Sequence, residues 1–419
     1  MTNNAPADDR YVVHRLANGL QVIIERMPDV RSAAAGFYVC TGARDETPEV
    51  AGVSHFLEHM MFKGTSKRSW REITIDFDAM GSSYNAYTSE DRTVYYGWVR
   101  RGDIERQIEL LSDMMRSTLP PAEFGTEKNV ILEEIAMAKD NLDHLAFDFL
   151  QEQVFAGHSL AWPVLGYEST VGSLQRDRMG EYMQRRYAPN NMWLVVAGNV
   201  DVPAVITVAE RCCGAWKTVE DASRRTPPPV HKGVGKLVVD RFRQQIVALT
   251  FPSVSARDPR AETVAAAVQI LGGDNSRFFW NIVQKGIAPR AGAHHLDYTD
   301  SGVFILYGSC EPERADALLE AMRNEASRIC SEPVLEREVE RVKNRRRTSL
   351  AMDAETPYCR LTQLMDDMEC YGRPRTVEET LAEVETVTAK SVHEYLQAFP
   401  IDREGYLISV GPRDWPEAG

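Results

Sequence analysis

Three consecutive prolines inside a polar stretch, KTVEDASRRTPPPVHKGVG at residues 217–235, interrupt the chain, and the segment after them restarts the one before. QQIVALTFPSVSARDP resembles SAAAGFYVCTGARDETP, and ETVAAAVQILGGDNSRF resembles GVSHFLEHMMFKGTSKR. Self-similarity of this kind predicts two copies of one architecture, residues 1–217 and 236–419, joined by a linker over 218–235. When Gly64 is matched to Gly272, His55 falls on Thr263, Glu58 on Ala266 and His59 on Ala267. The second copy therefore keeps the pattern and loses the titratable side chains.

Local patterns give each copy strands and helices. RYVVHRL and LQVIIERM flank the turn signal ANG, and SAAAGFYV reads as a buried strand. A helix is expected at about 50–63. Another covers SWREITIDFDAMG, where Ser69 and Glu72 have capping-box spacing and Gly81 ends the run. SSYNAYTSEDRTVYYGWV alternates and is rich in Tyr, Thr and Val, which predicts two strands. Helical periodicity then fills 103–117, about 122–155 and about 176–187, before a strand at NMWLVVAGNV and a helix at VPAVITVAERCCG.

The 419 residues carry a formal charge of −13, which argues against a nucleic-acid partner. The one basic run, RVKNRRR at 341–347, lies in a Glu/Arg-rich helical stretch and reads as a solvated face. Seven cysteines without CxxC spacing suggest reduced thiols rather than a disulfide framework. MTNNAPADDRYVVHRL has neither a basic nor an apolar signal region, and no apolar run approaches a membrane span. A cytoplasmic protein without a membrane partner is the expectation.

The chemistry concentrates in AGVSHFLEHMMFKGT, residues 51–65. Residues i and i+4 share a helix face, so His55 and His59 can turn both imidazoles to one ion. Two imidazoles suit zinc, which in catalytic sites takes three protein ligands. Glu58 reaches the same region without being forced onto the metal and can act as a general base. The order H-x-x-E-H inverts the H-E-x-x-H zinc helix. EFGTEKNVILEEIAMAKD supplies candidates for the third ligand. Glu127 and Glu134 are two helical turns apart and share a face. If Glu134 binds the metal, Glu127 can orient the site from behind. Glu133 points about 100° away and reads as solvated.

With these residues in place, the chain resembles the pitrilysin family of zinc metallopeptidases, the inverzincins. It is most similar to the small members related to the β subunit of mitochondrial processing peptidase. The resemblance runs through HRLANGLQVIIERMP, GARDETPEVAGVSHFLEHMMFKGT, GSSYNAYTSEDRTVYY, EKNVILEEIAMAKD, GHSLAWPVLG, YAPNNMWLVVAGNVD and LGGDNSRFF. It implies an α+β fold of two homologous α/β-sandwich halves, each a sheet covered by helices, in chains that pair as a clam-shell around a peptide. It implies one Zn2+ per chain on His55, His59 and Glu134, with Glu58 as the base. It also implies that NAYT, 85–88, is an edge strand beside the zinc, where Asn85 and Ala86 meet the substrate backbone. His158 in GHSL is taken as structural.

One departure matters. The family carries an arginine and a tyrosine in a second-half segment resembling REKGLAY, where they hold the substrate carbonyl and oxyanion. Here the segment reads VQKGIAP, with Val283 and Pro289 in those places, and neither side chain can donate a hydrogen bond. Arg290 and Tyr298 are the only nearby substitutes considered. The expected function is a zinc endopeptidase that hydrolyses peptides or unfolded segments in a dimeric chamber. A homologous partner chain in a heterodimer would supply the Arg/Tyr pair. The alternatives are a self-sufficient homodimer and a non-catalytic scaffold subunit.

Overall fold

A computed structural model describes residues 10–220 and 225–416. Its strands form two sheets. In the first, β1 (Tyr11–Arg15), β2 (Gln21–Arg26), β3 (Ser32–Val39), β4 (Ser83–Thr88), β5 (Thr93–Arg100) and β6 (Met192–Gly198) lie in the order β1-β2-β6-β3-β5-β4. In the second, β7 (Gly233–Val238), β8 (Gln245–Ser253), β9 (Arg290–Asp297), β10 (Gly302–Cys310) and β11 (Tyr406–Gly411) lie in the order β7-β11-β8-β10-β9. Without β1 the first order is the second order repeated. The orientations repeat too: β2 pairs parallel to β6 and β7 parallel to β11, while the remaining pairs are antiparallel. The duplication read from the sequence is thus a duplication of topology, and the fold is α+β with two helix-covered sheets.

The sequence boundaries and the compact units differ. One unit comprises Met1–Ile135, Pro163–Arg225 and Ala351–Arg375, and the other Ala136–Trp162, Thr226–Leu350 and Thr376–Gly419. Each takes a helix from the opposite half of the sequence. In the first unit, helix Pro357–Tyr371 sets Leu361, Leu364, Met365 and Met368 against Ile23, Ala34, Tyr38, Val94 and Val195 of the sheet. In the second, helix Leu142–Val154 sets Ala146, Leu150 and Val154 against Ile246, Ala248, Ile305 and Ile408. At about 1.5–3 kcal/mol per large apolar side chain buried, such a face outweighs sequence proximity. Both faces of β3 are covered, so SAAAGFYV is buried almost throughout instead of alternating. Gly36 in that strand makes room for Met365, whose Cε would lie 2.9 Å from an added Cβ.

The continuous periodicity over about 122–155 resolves into two helices, Pro121–Lys139 and Leu142–Val154. Asn141 makes the break: its side chain accepts from the backbone N–H groups of Asp143 and His144 at 3.0 and 3.1 Å, an N-cap. The basic run lies on helix Glu336–Asp353, where Arg345, Arg346 and Arg347 pair with Asp274, Glu262 and Glu385. His158 caps the short turn after it through Nδ1 and bonds the Thr226 carbonyl through Nε2 at 3.0 Å. Among the described residues no helix is long and apolar enough to cross a membrane.

Candidate metal centre

The helix Val53–Met61 is fixed from behind and at its start. Phe56, Leu57, Met60 and Met61 are fully buried in the first unit's core, which turns His55, Glu58 and His59 to the opposite face. Gly52 begins the helix at φ +94°, in a place where an added Cβ would stand 2.7 Å from the Leu165 carbonyl oxygen. The buried Glu46 carboxyl accepts from the N–H groups of Gly52 and Ser54 at 2.6 and 2.7 Å and so caps the helix N-terminus, while burial raises its pKa to about 8 against those two hydrogen bonds. Phe56 stacks on Phe124 at 4.8 Å between ring centroids, which brings helix Pro121–Lys139 alongside. Phe124, Ile131 and Ile135 of that helix are buried, so Glu127 and Glu134 face the histidines.

Three donors then meet. His55, His59 and Glu134 each offer a ligand atom, all within 4.8 Å of one another. Glu134 Oε2 lies 3.8 Å from His55 Nε2 and 3.7 Å from His59 Nε2, too far for hydrogen bonds. A tetrahedral ion with ligands at about 2.0–2.1 Å sets its donors roughly 3.4 Å apart, so these separations are near those of a metal cage. The donor set of two imidazoles and one carboxylate also fits zinc. Behind His59, Glu127 Oε1 lies 2.8 Å from Nδ1, the kind of carboxylate support that orients a ligating imidazole. Lys63 Nζ is 2.6 Å from the other Glu127 oxygen. Among the described residues, the buried Nδ1 of His55 has no hydrogen-bond partner. Glu133 is exposed.

The edge strand β4 supplies the other wall. Its register pairs Asn85 with Tyr96, Ala86 with Tyr95 and Thr88 with Thr93. By the two-residue period, Ala86 and Thr88 share the face turned to the metal-site helix, and Asn85 takes the opposite one. The Thr88 hydroxyl donates to Glu58 Oε2 at 2.6 Å. Asn85 is exposed, and its Oδ1 accepts from the Ala86 N–H at 2.9 Å. Sequence reading missed Thr88, Lys63 and Glu46. The alternation of NAYT could have pointed to Thr88, which is two residues beyond Ala86.

Electrostatics separate the two histidines. Burial, with the His59 ring beside it, pushes His55 down to about 3, so it stays a neutral donor. Burial also works against a charged His59, but the Glu127 hydrogen bond and the Glu134 and Glu58 charges outweigh it and raise its pKa. Burial raises Glu58, against the opposing Thr88 hydrogen bond and His59 charge. A carboxyl tuned upward in this way is a better proton acceptor near neutral pH.

The proposed stand-ins for the missing arginine and tyrosine are engaged elsewhere in the second unit. Arg290 forks the Asp143 carboxylate, with Nη1 at 3.1 Å from Oδ2. Tyr298 is 4% exposed, its hydroxyl accepts from Gln151 Nε2 at 2.7 Å, and its ring packs edge-on against Phe155. These bonds engage both side chains within the second unit, Tyr298 buried and Arg290 about half exposed.

The description "Insulinase (Peptidase family M16)" matches residues 21–168, and "Peptidase M16 inactive domain" matches residues 173–346. A chain of Bacillus subtilis (strain 168), called an uncharacterized zinc protease, is 32% identical over 397 residues, covering 94% of this chain and 96% of its own length. A Rickettsia bellii chain described in the same words is 30% identical over 388 residues, covering 92% and 93%. The crystal structure of a protease from Helicobacter pylori matches with a TM-score of 0.88 over 96% of this chain and 99% of that one, at 19% identity, and speaks for the fold alone. The chain belongs to the insulinase (M16) peptidase family, the family of the pitrilysin resemblance.

Proposed function

We propose that the chain is a zinc endopeptidase with one zinc per chain on His55, His59 and Glu134. The observation that carries this is the convergence of those three donors beside a carboxylate that is not among them. Zinc bound there would supply Lewis-acid chemistry, acidifying water and polarising the scissile carbonyl. The protein's own residues do the rest. Glu127 holds the His59 ring, and Thr88 occupies one oxygen of Glu58 and leaves the other to take a proton from the attacking water. The same carboxyl returns that proton to the amine nitrogen as the peptide bond breaks. A substrate strand adds along β4 by main-chain hydrogen bonds and displaces the Asn85 side chain from the Ala86 N–H.

A dimeric chamber and a partner complete the reading. Val283 and Pro289 offer no donor for the oxyanion, and Arg290 and Tyr298 are tied to Asp143 and Gln151. A homologous chain in a heterodimer supplies the Arg/Tyr pair in trans. The test is cleavage of a mixed pool of quenched fluorescent peptides by the purified chain after its zinc content is measured. Bound zinc without cleavage, and cleavage once the partner is added, is the expected result. Cleavage by the chain alone, lost in Glu58→Gln, makes it self-sufficient and removes the partner from the reading. A Glu58→Gln chain that cleaves at the wild-type rate ends the assignment of the base.

A further inference from the structure

We propose that Lys63 is a positioning residue of the metal site: it fixes the Glu127 carboxylate so that the His59 tautomer, and with it zinc affinity, is set in advance. This rests on the zinc reading above. Lys63 lies two residues past the end of helix Val53–Met61, where its N–H bonds the Met60 carbonyl at 3.2 Å, and its side chain reaches the same Glu127 as His59. Its Nζ lies 2.6 Å from Glu127 Oε2, and Glu127 Oε1 lies 2.8 Å from His59 Nδ1. One carboxylate thus bridges an ammonium and an imidazole.

Each link has a chemical consequence. A carboxylate offers only acceptors, so the Nδ1 facing it carries the proton and Nε2 keeps the lone pair a metal needs. The terminal torsion of a glutamate is soft, and a single imidazole contact does not hold the carboxylate plane. The Lys63 ammonium pins the second oxygen and supplies a cation to a side chain that is only 7% exposed. The other imidazole has no such support among the described residues, where the buried His55 Nδ1 has no hydrogen-bond partner. Pre-setting of the histidine pair therefore falls on the line Lys63–Glu127–His59. Lys63 takes no place among the three converging donors and lies outside the apolar core, so its replacement does not dismantle either.

The test uses the full chain and zinc alone, with affinity read by competition against a chromogenic chelator and thermal unfolding of the metal-free chains followed in parallel. Lys63→Met is expected to weaken zinc binding about 10–100-fold, the usual effect of losing support behind a ligand. Lys63→Arg, which keeps a cation and donors, is expected to stay within about threefold of wild type. In a Glu127→Gln background, Lys63→Met is expected to add less than about threefold, because the lysine acts through that carboxylate. Wild-type affinity in Lys63→Met overturns the proposal, as does an equal loss in the presence and absence of Glu127. If Lys63→Met lowers metal-free stability, Lys63→Arg decides: failure to restore affinity in a chain that folds as wild type also overturns it. A wild-type chain that binds zinc no better than His59→Ala overturns the zinc reading together with this one. Tight wild-type binding matched by Lys63→Met overturns this one alone.

Discussion

Helix Val53–Met61 in the first unit and helix Ala261–Gly272 in the second hold the same station beside sheets of the same topology, and among the described residues only the first contributes to a group of converging metal donors. The partner helices can be aligned through a shared lysine. Lys128 bonds the Gly172 and Leu174 carbonyls, and Lys343 bonds those of Glu385 and Val387. On that alignment Glu127 corresponds to Val342 and Glu134 to Ser349. A cavity of about 560 Å3 remains in the second unit, lined by Glu262, Ala265, Ala266, Gln269, Arg346 and Ser349 among others. The fold sets the same pair of helices in both units, and a handful of side chains decides whether they can hold an ion. The comparison also shows why matching Gly64 to Gly272 misses by one residue the face turned to the cavity. Gly64 serves a loop at φ +140°, whereas Gly272 lets its helix approach β9, with Ala293 N only 1.9 Å from an added Cβ.

The comparison breaks most completely at the donors. His55→Ala, His59→Ala or Glu134→Ala is expected to lose stoichiometric zinc and all measurable cleavage, checked by metal analysis and the fluorescent peptide assay. The exchanged helices give the next contrast. In the first unit, Arg360 bonds Glu25, which is fully buried, at 2.8 Å. In the second, the helix contributes the uncharged Gln151, which donates to the Tyr298 hydroxyl. Arg360→Met is expected to cost about 2–4 kcal/mol by denaturant unfolding, since it removes one of the two cations, Arg360 and Arg10, that bond this buried carboxylate. Gln151→Leu is expected to cost only about 1–3 kcal/mol. Thr88→Val should lower kcat by roughly tenfold in the cleaving assembly, with KM and zinc content little changed, and Thr88→Ser should recover most of it. At the opposite station, Glu262→Gln is expected to change stability by less than about 1 kcal/mol and to leave zinc binding alone, because its ion pair with Arg346 is partly open to solvent.

Much of this arrangement was legible in the chain. The first unit's strands follow from apolar runs and turn signals that are local, whereas their order in the sheet does not, and the donors follow from helical spacing: i, i+4 for the histidines and two turns for the glutamates. The exchange of Leu142–Val154 and Pro357–Tyr371 was not legible, because a helix's periodicity shows that it has an apolar face and not which sheet it covers. The break at Asn141 was hidden because an asparagine caps a helix only through the backbone it meets, here the N–H groups of Asp143 and His144. Thr88 and Lys63 depend on strand register and on the meeting of two helices. Arg290 and Tyr298 sat near the right place in sequence, but Asp143 and Gln151, contributed by the exchanged segment, hold them.

The exchanged helix also sets a timetable for biogenesis. The metal-bearing unit has its donors by Glu134, yet the face formed by Ile23, Ala34, Tyr38, Val94 and Val195 waits for Leu361, Leu364, Met365 and Met368. A ribosome must therefore release most of the chain before that sheet is covered on both sides. Until then an apolar strand surface is open to chaperones, to aggregation and to proteolysis. The closing contacts to Ile23, Ala34 and Tyr38 span more than 300 residues of sequence, a loop-closure burden that slows folding. Assembly of this unit is a post-translational event, and a product truncated after the linker would display the donors on a sheet that cannot finish folding.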